Sequence, residues 1–189
     1  NAEIATLCAM HPHALPTLMA LLASGDRALA QAACFTAAQL CVVRGFTEAL
    51  LRQQILQHLA AVLGAGSSGD KDLQVAAVTL VAALAKDPVA ADAVAGTPVL
   101  MEVLPELLRG GAPAALCYHA CVAVGELSET SDRFRAVFVR GSSGNSSNSG
   151  LKAVVALATS EDRHIRGSAA NVLAVFAGKG TADRAALRE

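Results

Sequence analysis

Residues 73–84 read LQVAAVTLVAAL, a run with no charged side chain and neither glycine nor proline. Its larger apolar residues include Leu73, Leu80 and Leu84, and Ala77 lies between them. These offsets of 0, 4, 7 and 11 residues cover one arc of a helix that turns by about 100° per residue. The run therefore predicts an amphipathic α-helix of about four turns, in which the alanine lets a second helix come close.

The same pattern recurs three more times in the chain. It begins again at Leu29, Leu116 and Ile165, so that successive copies are separated by 44, 43 and 49 residues. A second apolar pattern, with spacings of 3, 3 and 1, precedes each copy and again marks one helical face. Its members are Leu15, Leu18, Leu21 and Leu22; Leu56, Leu59, Val62 and Leu63; Met101, Leu104, Leu107 and Leu108; and Leu151, Val154, Leu157 and Ala158.

Two further features complete the repeating unit. Turn-forming residues separate the two patterns at 24–26, 64–72, 110–113 and 160–162, and three of these segments supply a helix N-cap. A third, shorter helix is predicted at the joins, over residues 46–52, 88–95 and 132–139, and residues 2–10 indicate part of another. Each unit is thus expected to contain three helices.

Three helices repeating every 43 to 49 residues, with these two spacings, resemble the armadillo repeat. The resemblance implies an all-α, right-handed α-solenoid of about four armadillo/HEAT-like repeats, and a HEAT array is the close structural alternative. The expected repeats are residues 1–43, 44–86, 87–130 and 131–178, with a partial fifth over 179–189. The Gly- and Ser-rich segment 141–150 is predicted to be a flexible insertion.

Composition narrows the class of protein. The chain has 189 residues, of which 53% are hydrophobic and 3% aromatic, with a net charge of −1. The chain is too apolar to be disordered, and it has no excess of basic residues that would bind nucleic acid. It also has no run of about 20 apolar residues that would span a membrane. Five cysteines without a CxxC motif argue against a disulfide scaffold. They favour a cytoplasmic or other reducing intracellular compartment.

The sequence offers little for catalysis or metal binding. Cys117, His119 and Cys121 form the only close Cys/His cluster, but on a helix His119 points away from the face that the two cysteines share. Such a geometry is poor for zinc, and no third group is evident for a nucleophilic pair. No phosphate-binding glycine loop is present either. We therefore predict no enzyme activity, no cofactor and no metal.

In armadillo arrays, partners commonly bind a groove made by the third helices. Here the groove should carry the positions 3, 6, 10 and 13 residues after each opening Leu or Ile. Nuclear import adaptors of the family have Trp at offset 6 and Asn at offset 10, and this ladder is absent. Among the groove positions, the candidates for partner contact are Phe35, Gln39, Thr79, His119, Glu126, Glu129 and Asn171.

The predicted function is that of a non-catalytic protein–protein interaction scaffold. Neither end of the chain has a complete polar cap, which favours a structural subunit or fragment of a larger assembly. The alternative is an armadillo-type chaperone cofactor or nucleotide exchange factor, which rests on fold analogy alone. An enzyme that uses Cys117 or His119 is the third hypothesis.

Overall fold

The structure is a computed structural model that describes residues 2–65, 69–109, 111–140 and 150–179. Within these ranges the chain forms twelve α-helices and no β-strand, which confirms the all-α prediction. The helices recur in groups of three. The short first helices are α1 (Ala2–Met10), α4 (Phe46–Arg52), α7 (Pro88–Ala95) and α10 (Asp132–Arg140). The second helices are α2 (Ala14–Ala23), α5 (Ile55–Gly64), α8 (Pro98–Leu108) and α11 (Gly150–Leu157). The long third helices are α3 (Arg27–Leu40), α6 (Lys71–Leu84), α9 (Ala114–Thr130) and α12 (Arg163–Lys179).

The third helices pack in sequence order, α3 against α6, α6 against α9, and α9 against α12. The alanine predicted at these contacts is buried in every copy, at Ala33, Ala77, Ala120 and Ala169. The large residue predicted seven positions later is buried as well, at Leu40, Leu84, Leu127 and Phe176. The apolar arc predicted from residues 73–84 is therefore the face through which successive third helices pack.

Aspartate side chains set the start of three of the four long helices. Asp26 Oδ1 accepts hydrogen bonds from the backbone N–H groups of Ala28 and Leu29, at 2.9 and 3.2 Å. Asp70 and Asp162 cap α6 and α12 in the same way. Helix α9, which follows a proline, has no side-chain cap. These caps satisfy backbone donors that the first helical turn leaves free. Asp26 and Asp162 end their predicted turns, but α6 begins earlier than predicted, because Asp70 is its cap and Asp72 already lies within the helix.

The first group of helices departs from the predicted pattern. Leu29 and Thr36 were assigned to the core arc of α3, yet Leu29 is 44% exposed and Thr36 is also exposed. Beneath α1 an apolar cleft of about 520 Å³ lies open beside Thr36 and Leu40. Leu7 and Met10 of α1 are themselves 73% and 76% exposed. The apolar face of α3 is therefore only partly covered.

Two predicted segments lie largely outside the described residues, namely the insertion at 141–150 and the partial fifth repeat at 179–189. Gly150 is the buried first residue of α11, and Lys179 is the last residue of α12. The exact division of the array into repeats stays a prediction. None of the helices in the described ranges has the length and apolarity that a bilayer crossing requires.

Candidate partner-binding groove

The candidate groove comprises the seven predicted contact residues on the four third helices. They are Phe35 and Gln39 on α3, Thr79 on α6, His119, Glu126 and Glu129 on α9, and Asn171 on α12. Phe35, Gln39, Glu129 and Asn171 are exposed, whereas Thr79, His119 and Glu126 are half-buried. The structure brings these residues together in two places and leaves the α3 pair apart from both.

The first place is a cleft of about 170 Å³ between α9 and α12. Glu126 and Glu129 line it from α9, and Ser168 and Asn171 line it from α12. These are groove positions of two successive copies of the pattern, so the predicted offsets do converge across the helix pair. Two carboxylates, an amide and a hydroxyl present oxygen acceptors that suit a basic side chain.

The walls of this cleft are partly apolar. Val122 and Val175 belong to the predicted groove positions, and Val172 reaches the cleft from the core face of α12. Lysine and arginine bury their aliphatic stems against apolar surface while their charged ends stay with polar partners. The cleft therefore offers both surfaces that a long basic side chain requires.

The second place lies between α6 and α9, where the side chains of Thr79 and His119 meet. Thr79 Oγ1 is 3.2 Å from His119 Nδ1 and 2.8 Å from the carbonyl oxygen of Val75. Burial lowers the pKa of the His119 imidazole below its usual value, because desolvation disfavours the charged form. His119 is therefore predominantly neutral at pH 7.

Phe35 and Gln39 stand at the other end of the groove. Helix α6 separates α3 from α9, so neither residue reaches the acidic cleft. Phe35 is 37% exposed, and Val42, just beyond the end of α3, is 70% exposed. This end of the groove thus exposes apolar side chains, in contrast to the acidic cleft.

Sequence reasoning also assigned some groove positions wrongly and missed one neighbour. Ala76 was placed in the groove but is fully buried, since α6 is enclosed by third helices on both sides. Tyr118 was not considered, although its ring contacts His119 edge-on at 5.2 Å and His164 of α12 at 6.5 Å. The only signal was that Tyr118, the one tyrosine of the chain, directly precedes His119.

The thiol groups of α9 are buried, although Cys121 also lines the cleft between α9 and α12. Cys117 and Cys121 lie in hydrogen-bond contact on the buried face, and this bond lowers the pKa of Cys117 and raises that of Cys121. On α3, burial raises the pKa of Cys34 to about 11. His119 contacts Thr79 instead, as the helical geometry predicts. Among the described residues, no three His, Cys, Asp or Glu side chains are arranged to hold a metal ion.

Comparisons with known proteins identify the fold. No protein-family model and no curated protein matches the chain. Among solved structures, a designed armadillo repeat protein in complex with the peptide (KR)4 has a TM-score of 0.80 at 15% identity, over 98% of this chain and 78% of that one. An engineered protein from the Northeast Structural Genomics Consortium has a TM-score of 0.78 at 21% identity, over 98% and 75% of the two chains.

A third similar structure is that of computationally designed armadillo repeat proteins for modular peptide recognition. It has a TM-score of 0.74 at 13% identity, over 98% of this chain and 78% of that one. These likenesses confirm the predicted fold: the chain is an armadillo-like repeat solenoid.

Proposed function

We propose that the chain is a non-catalytic scaffold whose candidate groove binds an extended segment of a partner protein, as one part of a larger assembly. The observation that supports this most directly is the acidic cleft between α9 and α12, where groove positions of two successive copies line one open site. A side chain of the bound segment would enter there, while its backbone runs across the third helices.

The chemistry of the cleft favours a lysine or arginine in the bound segment. Glu126 and Glu129 supply negative charge one turn apart on α9, and Asn171 adds an amide from α12. Charge complementarity of this kind selects partners and speeds their association. The similar designed protein in complex with (KR)4 supports the same class of ligand.

The test is a titration of the purified chain with the labelled peptide (Lys-Arg)4, followed by fluorescence anisotropy at low salt. An eight-residue peptide of alternating Gly and Ser and one of alternating Glu and Asp serve as comparisons. We expect the basic peptide to bind at least about tenfold more tightly than either, a difference of about 1.4 kcal/mol. Equal affinity for all three peptides, or no binding of any, would contradict the proposed function.

A matched pair of variants assigns the binding to the cleft. The double reversal Glu126→Lys and Glu129→Lys should abolish most of the preference for the basic peptide. Glu48→Lys with Glu102→Lys makes the same change in net charge on α4 and α8, away from the groove, and should leave the preference nearly intact. If both pairs weaken binding equally, the attraction comes from overall charge and not from the cleft.

A further inference from the structure

The Thr79 hydroxyl determines which nitrogen of His119 carries a proton. Thr79 Oγ1 lies 2.8 Å from the carbonyl oxygen of Val75 and 3.2 Å from His119 Nδ1. The Val75 carbonyl oxygen can only accept, and the shorter of the two contacts directs the single hydroxyl proton to it. The oxygen of the hydroxyl is then left to accept a hydrogen bond, and Nδ1 of His119 must donate it.

It follows that the neutral ring of His119 is the Nδ1–H tautomer. In this form Nε2 has a lone pair and no proton, which makes it a hydrogen-bond acceptor. No described side chain hydrogen-bonds to Nε2. Nε2 is also not one of the buried polar atoms that lack a hydrogen-bond partner. The floor of the candidate groove between α6 and α9 therefore presents an acceptor to whatever is bound there.

We propose that His119 is a specificity-determining residue of the candidate groove: its Nε2 accepts a hydrogen bond from an N–H group of the bound segment, and protonation of the ring weakens binding. The inference rests on the proposed function, because it assumes that the segment crosses the groove. Protonation replaces the acceptor by a donor and places a positive charge beside a ligand that is itself basic. Both changes weaken the binding of a basic segment.

Titratable and charged groups lie on each of the helices α6, α9 and α12 around His119, including Glu126 and Glu129 on its own helix. On α9 its ring neighbour is Tyr118, which also contacts His164 of α12. The charged side chains of α6 are Lys71 and Asp72, both in its first turn and therefore distant along the helix from Thr79. His164, with Arg163 beside it, is the second imidazole that Tyr118 contacts and therefore the control for the role of His119.

The first experiment reads the tautomer without any ligand. Long-range ¹H–¹⁵N spectra of the intact chain at pH 7.5 distinguish an Nδ1–H from an Nε2–H imidazole. We expect His119 to be Nδ1–H in the parent chain, and Thr79→Val to shift it toward a mixture of tautomers. A predominantly Nε2–H ring in the parent chain would overturn the proposal.

The second experiment measures the affinity of (Lys-Arg)4 between pH 7.5 and pH 5.0. We expect the affinity to fall at least about threefold on acidification, in line with a unit charge added near the ligand. His119→Gln should remove this dependence, whatever its affinity at pH 7.5. His164→Gln and His58→Gln should both retain it, since neither removes the acceptor.

The outcomes separate the two proposals. Binding at pH 7.5 that is equally tight at pH 5.0, or a dependence that survives His119→Gln, overturns the role of His119 and leaves the proposed function standing. Loss of the dependence in His164→Gln transfers the effect to that residue and also overturns this inference. Absence of peptide binding at every pH overturns both.

Discussion

Gly150 opens helix α11 directly against the ring of Phe138. A Cβ atom added at Gly150 would lie 2.4 Å from two carbons of that ring. Phe138 cannot easily give way, because it is buried and stacks between Phe134 and Phe176, with centroid distances of 5.2 and 6.0 Å. We therefore expect Gly150→Ala to destabilise the chain by about 1–3 kcal/mol through overpacking, as measured by urea unfolding.

Gly167 in the second turn of α12 provides the control for that substitution. A Cβ atom there would meet no other atom within 4 Å, so Gly167→Ala should be neutral or stabilising by about 0.5–1 kcal/mol. If both glycine substitutions had the same effect, helix propensity rather than contact with Phe138 would be responsible, and the packing argument would be wrong.

The Asp162 carboxylate gives a prediction for acid stability. Backbone N–H groups of His164 and Ile165 donate to it at 2.8 and 3.3 Å, and these bonds lower its pKa in the folded state. A carboxyl group with a depressed pKa stabilises the fold above its unfolded pKa, and this contribution is lost as the pH falls through the folded value. Stability should therefore fall below about pH 4.

The substitution Asp162→Asn tests this prediction, because asparagine keeps an oxygen acceptor but cannot titrate. The free energy of unfolding of this variant should fall less steeply with acid than that of the parent chain. An unchanged slope would contradict the prediction.

Helices α3 and α6 carry the same predicted pattern but occupy different surroundings. Leu84 of α6 is completely buried, and α6 is packed between α3 and α9. Leu40 of α3 is also buried but borders the open cleft beneath α1. We expect Leu84→Ala to cost about 2–5 kcal/mol, because it leaves an enclosed cavity.

Leu40→Ala removes the same atoms and is the matched comparison for that helix. Because the space it creates joins an existing open cleft, the surrounding side chains can relax more, and the cost should be clearly smaller than for Leu84→Ala. Chemical denaturation of the two variants measures and compares their losses of unfolding free energy. Equal losses would mean that α1 closes over α3 more tightly than the structure shows.

The length of the array determines how long a peptide must be to contact both ends of the candidate groove. Third helices packed about 8–10 Å apart place Phe35 roughly 20–25 Å from the acidic cleft, since α6 and α9 lie between. An extended segment rises about 3.3 Å per residue and would need about seven residues to join the two sites. A peptide with an apolar residue that far from its lysine or arginine should therefore bind more tightly than a short basic one.

The substitution Phe35→Ala tests whether one bound segment contacts both Phe35 and the acidic cleft. It should weaken the long apolar-and-basic peptide by about 2 kcal/mol if Phe35 anchors the apolar residue, and leave a four-residue basic peptide unaffected. The unfolding curve of the variant should stay close to that of the parent, because Phe35 is 37% exposed. Equal weakening of both peptides, or of neither, would place the apolar contact elsewhere.

Much of the architecture could be predicted from sequence because each local signal acts within one helix. The short helices Phe46–Arg52 and Pro88–Ala95 have the predicted ends, and Asp26, Asp70 and Asp162 begin their helices as capping chemistry requires. The convergence of Glu126 and Glu129 with Asn171 follows from pattern only in part: all three occupy groove positions, which face the same side, but they stand at different offsets of successive copies.

Tertiary structure alone decided how completely each face is covered. Leu29 and Ala76 have the angular positions that periodicity assigns them, yet the first is exposed and the second is buried, in both cases opposite to expectation. The pairing of Thr79 with His119 likewise joins different offsets of successive helices. Periodicity determines where a side chain points around its own axis. The distance and tilt of the next helix determine what it meets, and those arise from packing between residues far apart in the chain.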